Sequence, residues 1–237
     1  MARYGPPPIR EYDLLILGLT GSGKSHFVAN LINYRSCAME IKDAFRIEAD
    51  IHRTHLILDD NEVVPIDIFD SSESFEISTF FSSVPDEEEI VTCISPTIAT
   101  YILERTDGII FLYSITSRES FQEVSRYYRL VKDLKNGDLE GIKIVLVGSK
   151  CDLEGERVVS GKEGRALAES LGCQFFEVST VTGVNIKESV VQLVREIRSS
   201  EASSSNETGA DSKKGGVLAV TRRAMREWIG KGFSCLT

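Results

Sequence analysis

Short apolar runs alternate with helically spaced segments along most of this chain. Residues 12–18, 55–58, 63–69, 108–114, 142–148 and 174–179 each read as a strand, rich in Leu, Ile, Val and Phe and bounded by Gly, Asp, Asn or Ser. Segments 24–33, 98–105, 118–135, 162–171 and 186–198 instead repeat apolar residues every three or four positions, the spacing of a helix with one buried face. Strand–helix alternation of this kind predicts a parallel sheet with helices on both faces. Leu58-Asp59-Asp60-Asn61-Glu62 is turn chemistry between two neighbouring strands, too short for a crossover, so one antiparallel hairpin is expected. The predicted fold is α/β: a six-stranded, mostly parallel sheet.

The same pattern divides the chain. Residues 1–10, with Pro6-Pro7-Pro8, read as an N-terminal extension, and 11–198 as the folded domain. Inside it, a polar, acidic stretch over about 71–96, with Asp86-Glu87-Glu88-Glu89, is too long for an ordinary connection and reads as a disordered insertion or a functional loop. Residues 199–216 offer almost nothing to bury and read as a flexible linker. In 217–237, Val217, Leu218, Thr221, Met225, Trp228 and Ile229 share one helical face, with Arg222, Arg223 and Arg226 mostly on the others. Such a basic amphipathic segment suits an anionic membrane surface or a docking site on protein, and the pattern leaves both open.

The candidate chemistry begins where the first strand ends. Gly18-Leu19-Thr20-Gly21-Ser22-Gly23-Lys24-Ser25 is an unbroken G-x-x-x-x-G-K-[ST] loop between a predicted strand and a predicted helix, the context that separates a phosphate cradle from an incidental Gly/Ser turn. Glycines let backbone N–H groups turn inward on a polyphosphate; Lys24 would reach the β and γ phosphates, and the Ser25 hydroxyl would ligate Mg²⁺. The base is read elsewhere. After the fifth strand comes Gly148-Ser149-Lys150-Cys151-Asp152, and a carboxylate at Asp152 can accept both the N1–H and the amino hydrogens of guanine, whereas adenine presents an acceptor at N1. The stem of Lys150 would lie along the base plane. Taken alone, these two residues are equally well a polar loop. Asp70, closing Asp67-Ile68-Phe69-Asp70, would hold Mg²⁺ through a water opposite Ser25. Lys24, Asp70 and Asp152 fall at successive strand ends, where open α/β sheets gather their ligands.

Composition narrows the partners. With 36 acidic and 27 basic residues the net charge is −9, which argues against nucleic acid as principal ligand. Five scattered cysteines without C-x-x-C spacing read as reduced cytosolic thiols. No apolar run approaches a membrane span and the start carries no apolar signal core, so the expectation is a cytoplasmic protein, with a peripheral place on the cytosolic face of a membrane as the alternative. A C-a-a-X box is absent as written, since Cys235 is followed only by Leu236 and Thr237.

With these residues in place, the chain resembles the Ras-like small GTPases over about residues 10–198. The phosphate loop matches without gaps; Arg105 to Ile115 followed by Ser120-Phe121 is similar to the family's fourth strand and third helix; Ser149-Lys150-Cys151-Asp152 is similar to its Asn-Lys-x-Asp base motif; Val194-Arg195-Glu196-Ile197-Arg198 is similar to the end of its last helix. The resemblance implies a P-loop NTPase fold, GTP or GDP with Mg²⁺ as cofactors, and protein effectors and exchange factors as partners. It also implies that Ser179-Thr180-Val181, standing where the family has Ser-Ala-Lys, touches the guanine O6 through its backbone. Several departures bear on hydrolysis. Glu73 and Ser74 stand where the family has a Gly that meets the γ phosphate and a Gln that orients the attacking water, and Gln122, the next glutamine, is too distant to substitute. Thr20 replaces a small glycine of the loop. The switch threonine is missing from 43–50, the nearest being Thr54 in the following strand, and the insertion lengthens the second switch by roughly 18 residues. Ser149 in place of Asn predicts a weakened guanine pocket, because the side-chain amide that braces the phosphate loop is gone. The expectation is a signalling switch with slow intrinsic GTP hydrolysis, in which Lys24 serves catalysis. The rival is a non-hydrolysing pseudo-GTPase scaffold or binding module, and a weaker third reading, an adenine-specific P-loop enzyme, is opposed by Asp152.

Overall fold

The computed structural model describes residues 10–33, 51–58, 62–71, 102–139 and 141–207. Most of the 71–96 insertion with Glu73 and Ser74, the 43–50 window, and the 217–237 segment lie outside the described residues. Six strands, β1 Tyr12–Leu17, β2 Ile51–Ile57, β3 Val63–Asp70, β4 Gly108–Ser114, β5 Lys143–Ser149 and β6 Gln174–Glu177, form one sheet in the order β2-β3-β1-β4-β5-β6. All pairs are parallel except β2 with β3, the expected hairpin, where Leu58 N–H donates to the Glu62 carbonyl at 2.9 Å. Four helices accompany the sheet among the described residues: α1 Lys24–Asn33, α2 Arg118–Leu134, α3 Gly161–Leu171 and α4 Ile186–Glu207. Residues 102–105 are helical too.

The near-continuous apolar strands follow from burial on both faces. Along β1, Leu14 and Ile16 join the core under α1 and α4 with Phe27, Val28, Val190 and Val194, while Leu15 and Leu17 join the opposite core with Val124, Tyr127 and Leu130 of α2. Local signals set the helix ends. Ser117 caps α2 by accepting from the Ser120 N–H; Ser160 and Glu163 form a reciprocal capping box on α3, which stops at Gly172 with φ 67°. A cap of this kind is worth about 1 kcal/mol. Two boundaries depart from expectation. β2 begins four residues earlier than its apolar run, and α4 continues to Glu207, nine residues past Arg198.

Candidate functional site

The carboxyl ends of β1, β3, β4 and β5 meet at one edge of the sheet. Neighbours of β1 come from opposite directions of winding, the arrangement that opens a ligand crevice. The loop Gly18 to Ser25 leaves β1 at this point and folds on itself, with Ser22 N–H donating to the Leu19 carbonyl at 3.1 Å. Gly21 and Gly23 take φ of 81° and 99°, backbone that side chains rarely adopt. Gly18 is constrained differently: a Cβ there would stand 2.1 Å from the Leu112 carbonyl oxygen of β4. The loop's foot is pressed against the neighbouring strand.

Lys24 is buried, 4% exposed, and its Nζ donates to the carbonyls of Gly18 (2.7 Å) and Leu19 (3.3 Å). A buried ammonium must have acceptors, and here the loop's own carbonyls hold the charge within it. Thr20 and Gly21 are exposed on the loop, and Ser25 is exposed in the first turn of α1. That first turn carries no acidic residue, whereas α2, α3 and α4 open with Glu119, Glu163 and Glu188. The positive end of the α1 dipole is therefore left without a carboxylate of its own, which suits an anion. Ser22 Oγ is buried without a hydrogen-bond partner.

Asp70 closes β3 beside Ile16 of β1, two positions before the loop begins, and is 5% exposed. Ser25 and Asp70 supply hard oxygen donors, and among the described residues no group of three or more His, Cys, Asp or Glu side chains gathers as a metal cage. That sparse donor set fits Mg²⁺, which keeps waters and is shared with phosphates rather than enclosed by protein. Thr54, the nearest threonine to the 43–50 window, is buried within β2. Gln122 is exposed on α2.

The base side is built by the ends of β5 and β6. Val178 N–H donates to the Gly148 carbonyl (2.8 Å) and Cys151 N–H to the Val178 carbonyl (3.0 Å), extending the ladder past both strands. Lys150 takes φ 63° and its carbonyl accepts from Leu153 N–H at 2.9 Å, a tight turn that leaves Asp152 exposed. Burial, then Glu177 and Asp152, push the Cys151 thiol up, and burial pushes Cys173 up to about 11, so both stay protonated thiols at neutral pH. In the Ser179-Thr180-Val181 turn, Ser179 Oγ accepts from the amides of Val181 (3.2 Å) and Thr182 (3.0 Å), while Ser179 N–H donates to the Val184 carbonyl (3.2 Å). Of the three amides expected to face a base, only that of Thr180 is not drawn into these bonds.

The ground given for a weakened guanine pocket, a phosphate loop without its brace, is corrected by the structure. Ser149 Oγ donates to the Ser22 carbonyl at 2.5 Å, in a fully buried bond across 127 positions. The phosphate loop is braced by a hydroxyl instead of an amide: β5 approaches closely enough at Gly23, whose Cβ would stand 3.7 Å from Ser149 Oγ, that the shorter side chain reaches.

Sequence reasoning missed two supports. Arg157 donates to Glu177 through both terminal nitrogens (2.7 and 2.9 Å) and pairs with Glu154 (2.6 Å), fastening the loop after Asp152 to the end of β6. Asn30 of α1 donates to the Thr180 carbonyl at 2.7 Å. Neither the Arg157–Glu177 nor the Asn30–Thr180 contact has a local pattern that could announce it.

Comparison with known proteins adds ancestry to this geometry. A match to the Ras family covers residues 96–199. The Ras-like protein of Laccaria bicolor is 33% identical over 201 residues, covering 85% of this chain and 84% of its own. Protein ras-1 of Neurospora crassa is 31% identical over 206 residues, covering 86% of this chain and 84% of its own.

Proposed function

Because the chain belongs to the Ras family of small GTPases, we propose that it binds GTP and GDP with Mg²⁺ and works as a guanine-nucleotide switch whose intrinsic hydrolysis is slow. The observation that carries this reading is the Lys24 ammonium buried in a glycine loop, at the start of the one described helix without an acid in its first turn. On binding, the Lys24 ammonium exchanges the Gly18 and Leu19 carbonyls for phosphate oxygens, and the amides of Gly21 to Ser25 donate to the same oxygens. Ser22 Oγ and the Ser25 hydroxyl gain acceptors or a cation to face. Ser25 and, through water, Asp70 would hold Mg²⁺, which supplies charge neutralisation on the β and γ phosphates.

At the base, Asp152 accepts the two donors on the Watson–Crick edge of guanine, Lys150 lies along the ring, and the Thr180 amide donates to O6. Turnover is in-line attack of water on the γ phosphate, with Lys24 stabilising the charge that develops. Glu73 adds like charge near that phosphate and Ser74 is too short to orient the water, so hydrolysis proceeds slowly. GTP then orders the loops around Ile47 and 71–96 for an effector, and exchange factors restore the GTP form. The basic amphipathic pattern of 217–237 supports a peripheral contact with an anionic membrane or docking on protein, for a chain placed in the cytoplasm. A second reading, a scaffold that holds nucleotide without turning it over, is favoured by the same Glu73 and Ser74.

Single-turnover hydrolysis of bound GTP separates the two: slow phosphate release supports the switch, none at all the scaffold, and a rate typical of the family removes the argument from Glu73 and Ser74. Asp152→Asn tests the base reader. Exchanging an acceptor for an amide should shift preference from guanine to xanthine nucleotides by about 100-fold or more, since a charged hydrogen bond is lost and an unpaired group left behind. Unchanged base preference would mean that Asp152 does not read the purine.

A further inference from the structure

Among the described residues, two hydrogen bonds join the phosphate side of the site to its base side. One is the Ser149 brace. The other leaves α1, where Asn30 Nδ2 donates to the Thr180 carbonyl at 2.7 Å, across 150 positions, and also to the His26 carbonyl one helical turn back at 3.2 Å. The amide is thus anchored to its own helix while it reaches the base loop. The Thr180 carbonyl shares a rigid peptide plane with the Val181 N–H, which donates to Ser179 Oγ at 3.2 Å. That peptide is pinned at both ends, and the preceding Thr180 N–H is left pointing out of the turn's own bonds. The rim of the loop is open, with Val181 82% and Val184 47% exposed; the Gly183 N–H bond to the Ser179 carbonyl (2.9 Å) is internal to it, and Asn185 Nδ2 ties its far end to the Glu177 carbonyl of β6 at 2.8 Å.

We propose that Asn30 is a positioning residue for purine recognition: by strapping the base loop to the helix that carries Lys24 and Ser25, it aims the Thr180 N–H at the base oxygen and sets the residence time of the nucleotide. The proposal rests on the guanine-nucleotide reading above. Asn30 donates to protein carbonyls, not to the nucleotide. Its effect runs through the loop: without the strap, the base loop opens locally while the phosphates are still held, and a ligand gripped at two ends is lost once one end lets go.

The test is dissociation of fluorescent GDP from the full chain with Mg²⁺, chased by excess GDP, for the wild type, Asn30→Ala, Asn30→Asp and Asn30→Gln. Asn30→Ala should release GDP about tenfold faster, the worth of one hydrogen bond, with association within twofold. Asn30→Asp, which sets a carboxylate against a carbonyl, should be faster still, and Asn30→Gln, which keeps the donor, slower than Asn30→Ala. Dissociation of the 6-thioguanine analogue of GDP, which keeps the N1–H and amino donors for Asp152 but offers sulfur, a weak acceptor, in place of O6, should be accelerated less by Asn30→Ala. A generally structural Asn30 predicts the opposite pattern, since alanine is the better helix former and a helix effect is blind to the base. GDP release from Asn30→Ala within twofold of wild type, or equal acceleration for both bases, overturns the proposal while leaving guanine binding intact; a wild-type protein that retains no GDP overturns the underlying reading.

Discussion

The two ends of the sheet are finished in opposite ways. Where the strands begin, two arginines are paired within the chain. Arg10 pairs with Asp107 (2.8 Å) and Glu201 (2.6 Å), and Arg198 grips Glu62 through both terminal nitrogens (2.7 and 2.6 Å) while its Nε donates to Tyr12 Oη at 2.9 Å. The two guanidinium groups lie 5.1 and 5.7 Å from the Tyr12 ring centre, and Asp107 also accepts the Asp13 N–H at 2.9 Å. Where the strands finish, donors are turned back on their own loop or left over: Lys24 on the Gly18 and Leu19 carbonyls, Ser22 Oγ on nothing. The first end spends its guanidinium groups on partners of its own chain. The second keeps donors that an anionic ligand would satisfy, and this contrast supports the reading of the glycine loop as the site.

If that contrast is correct, substitutions at the two ends should separate binding from stability. The largest effect belongs to Lys24→Ala. Loss of a buried cation that meets phosphate oxygens should weaken nucleotide affinity by about 100-fold or more, measured by calorimetric titration with GDP and Mg²⁺. An affinity within a few-fold of wild type would break the comparison. At the other end, Arg198→Ala should lower stability to urea by about 1 kcal/mol, from the lost contact with the Tyr12 ring and its hydroxyl, without altering nucleotide affinity. Weakened GDP binding there would mean that the ends are not independent.

The smallest effect sharpens the comparison at the helix N-termini. Glu163 fills the start of α3 itself: hydrogen bonding from Arg118 (2.5 Å), then from the Ser160 backbone and hydroxyl, holds its carboxyl down at about 2. Because the folded value lies below the unfolded one of about 4.3, the stabilisation is complete above that pH and is lost as pH falls towards 2. Glu163→Gln should therefore flatten part of the acid limb of stability between roughly pH 5 and 2 and leave stability near neutrality slightly lower. An identical acid limb in both proteins would deny the carboxylate that role. α1 has no such built-in acid, so its terminus stays open to phosphate.

The alternation of apolar runs made the sheet, its single hairpin and the phosphate loop legible, because each depends on residues adjacent in sequence. β2 starts earlier than its apolar run because it is an edge strand with one exposed face, on which Ile51, Arg53 and His55 look outward. α4 outlasts its apolar stripe as well. Within the serine-rich end that reads as linker, Ser199, Ser200 and Ser203 turn their hydroxyls onto the carbonyls of Arg195, Ile197 and Ser199, as serine does when it lies inside a helix it does not favour. The brace at Ser149 is not legible in the residue type, because reach depends on how near β5 comes to the loop. Asn30 illustrates the remaining gap: its partner is 150 positions away, and only the folded chain brings them together.

The most direct measurement is identification of the nucleotide released when the purified full chain is denatured, followed by rebinding to the emptied protein. The account predicts GDP or GTP, with Mg²⁺-dependent rebinding of guanine nucleotides in preference to adenine ones. An empty site that takes up neither, or one that prefers ADP or ATP, would contradict it.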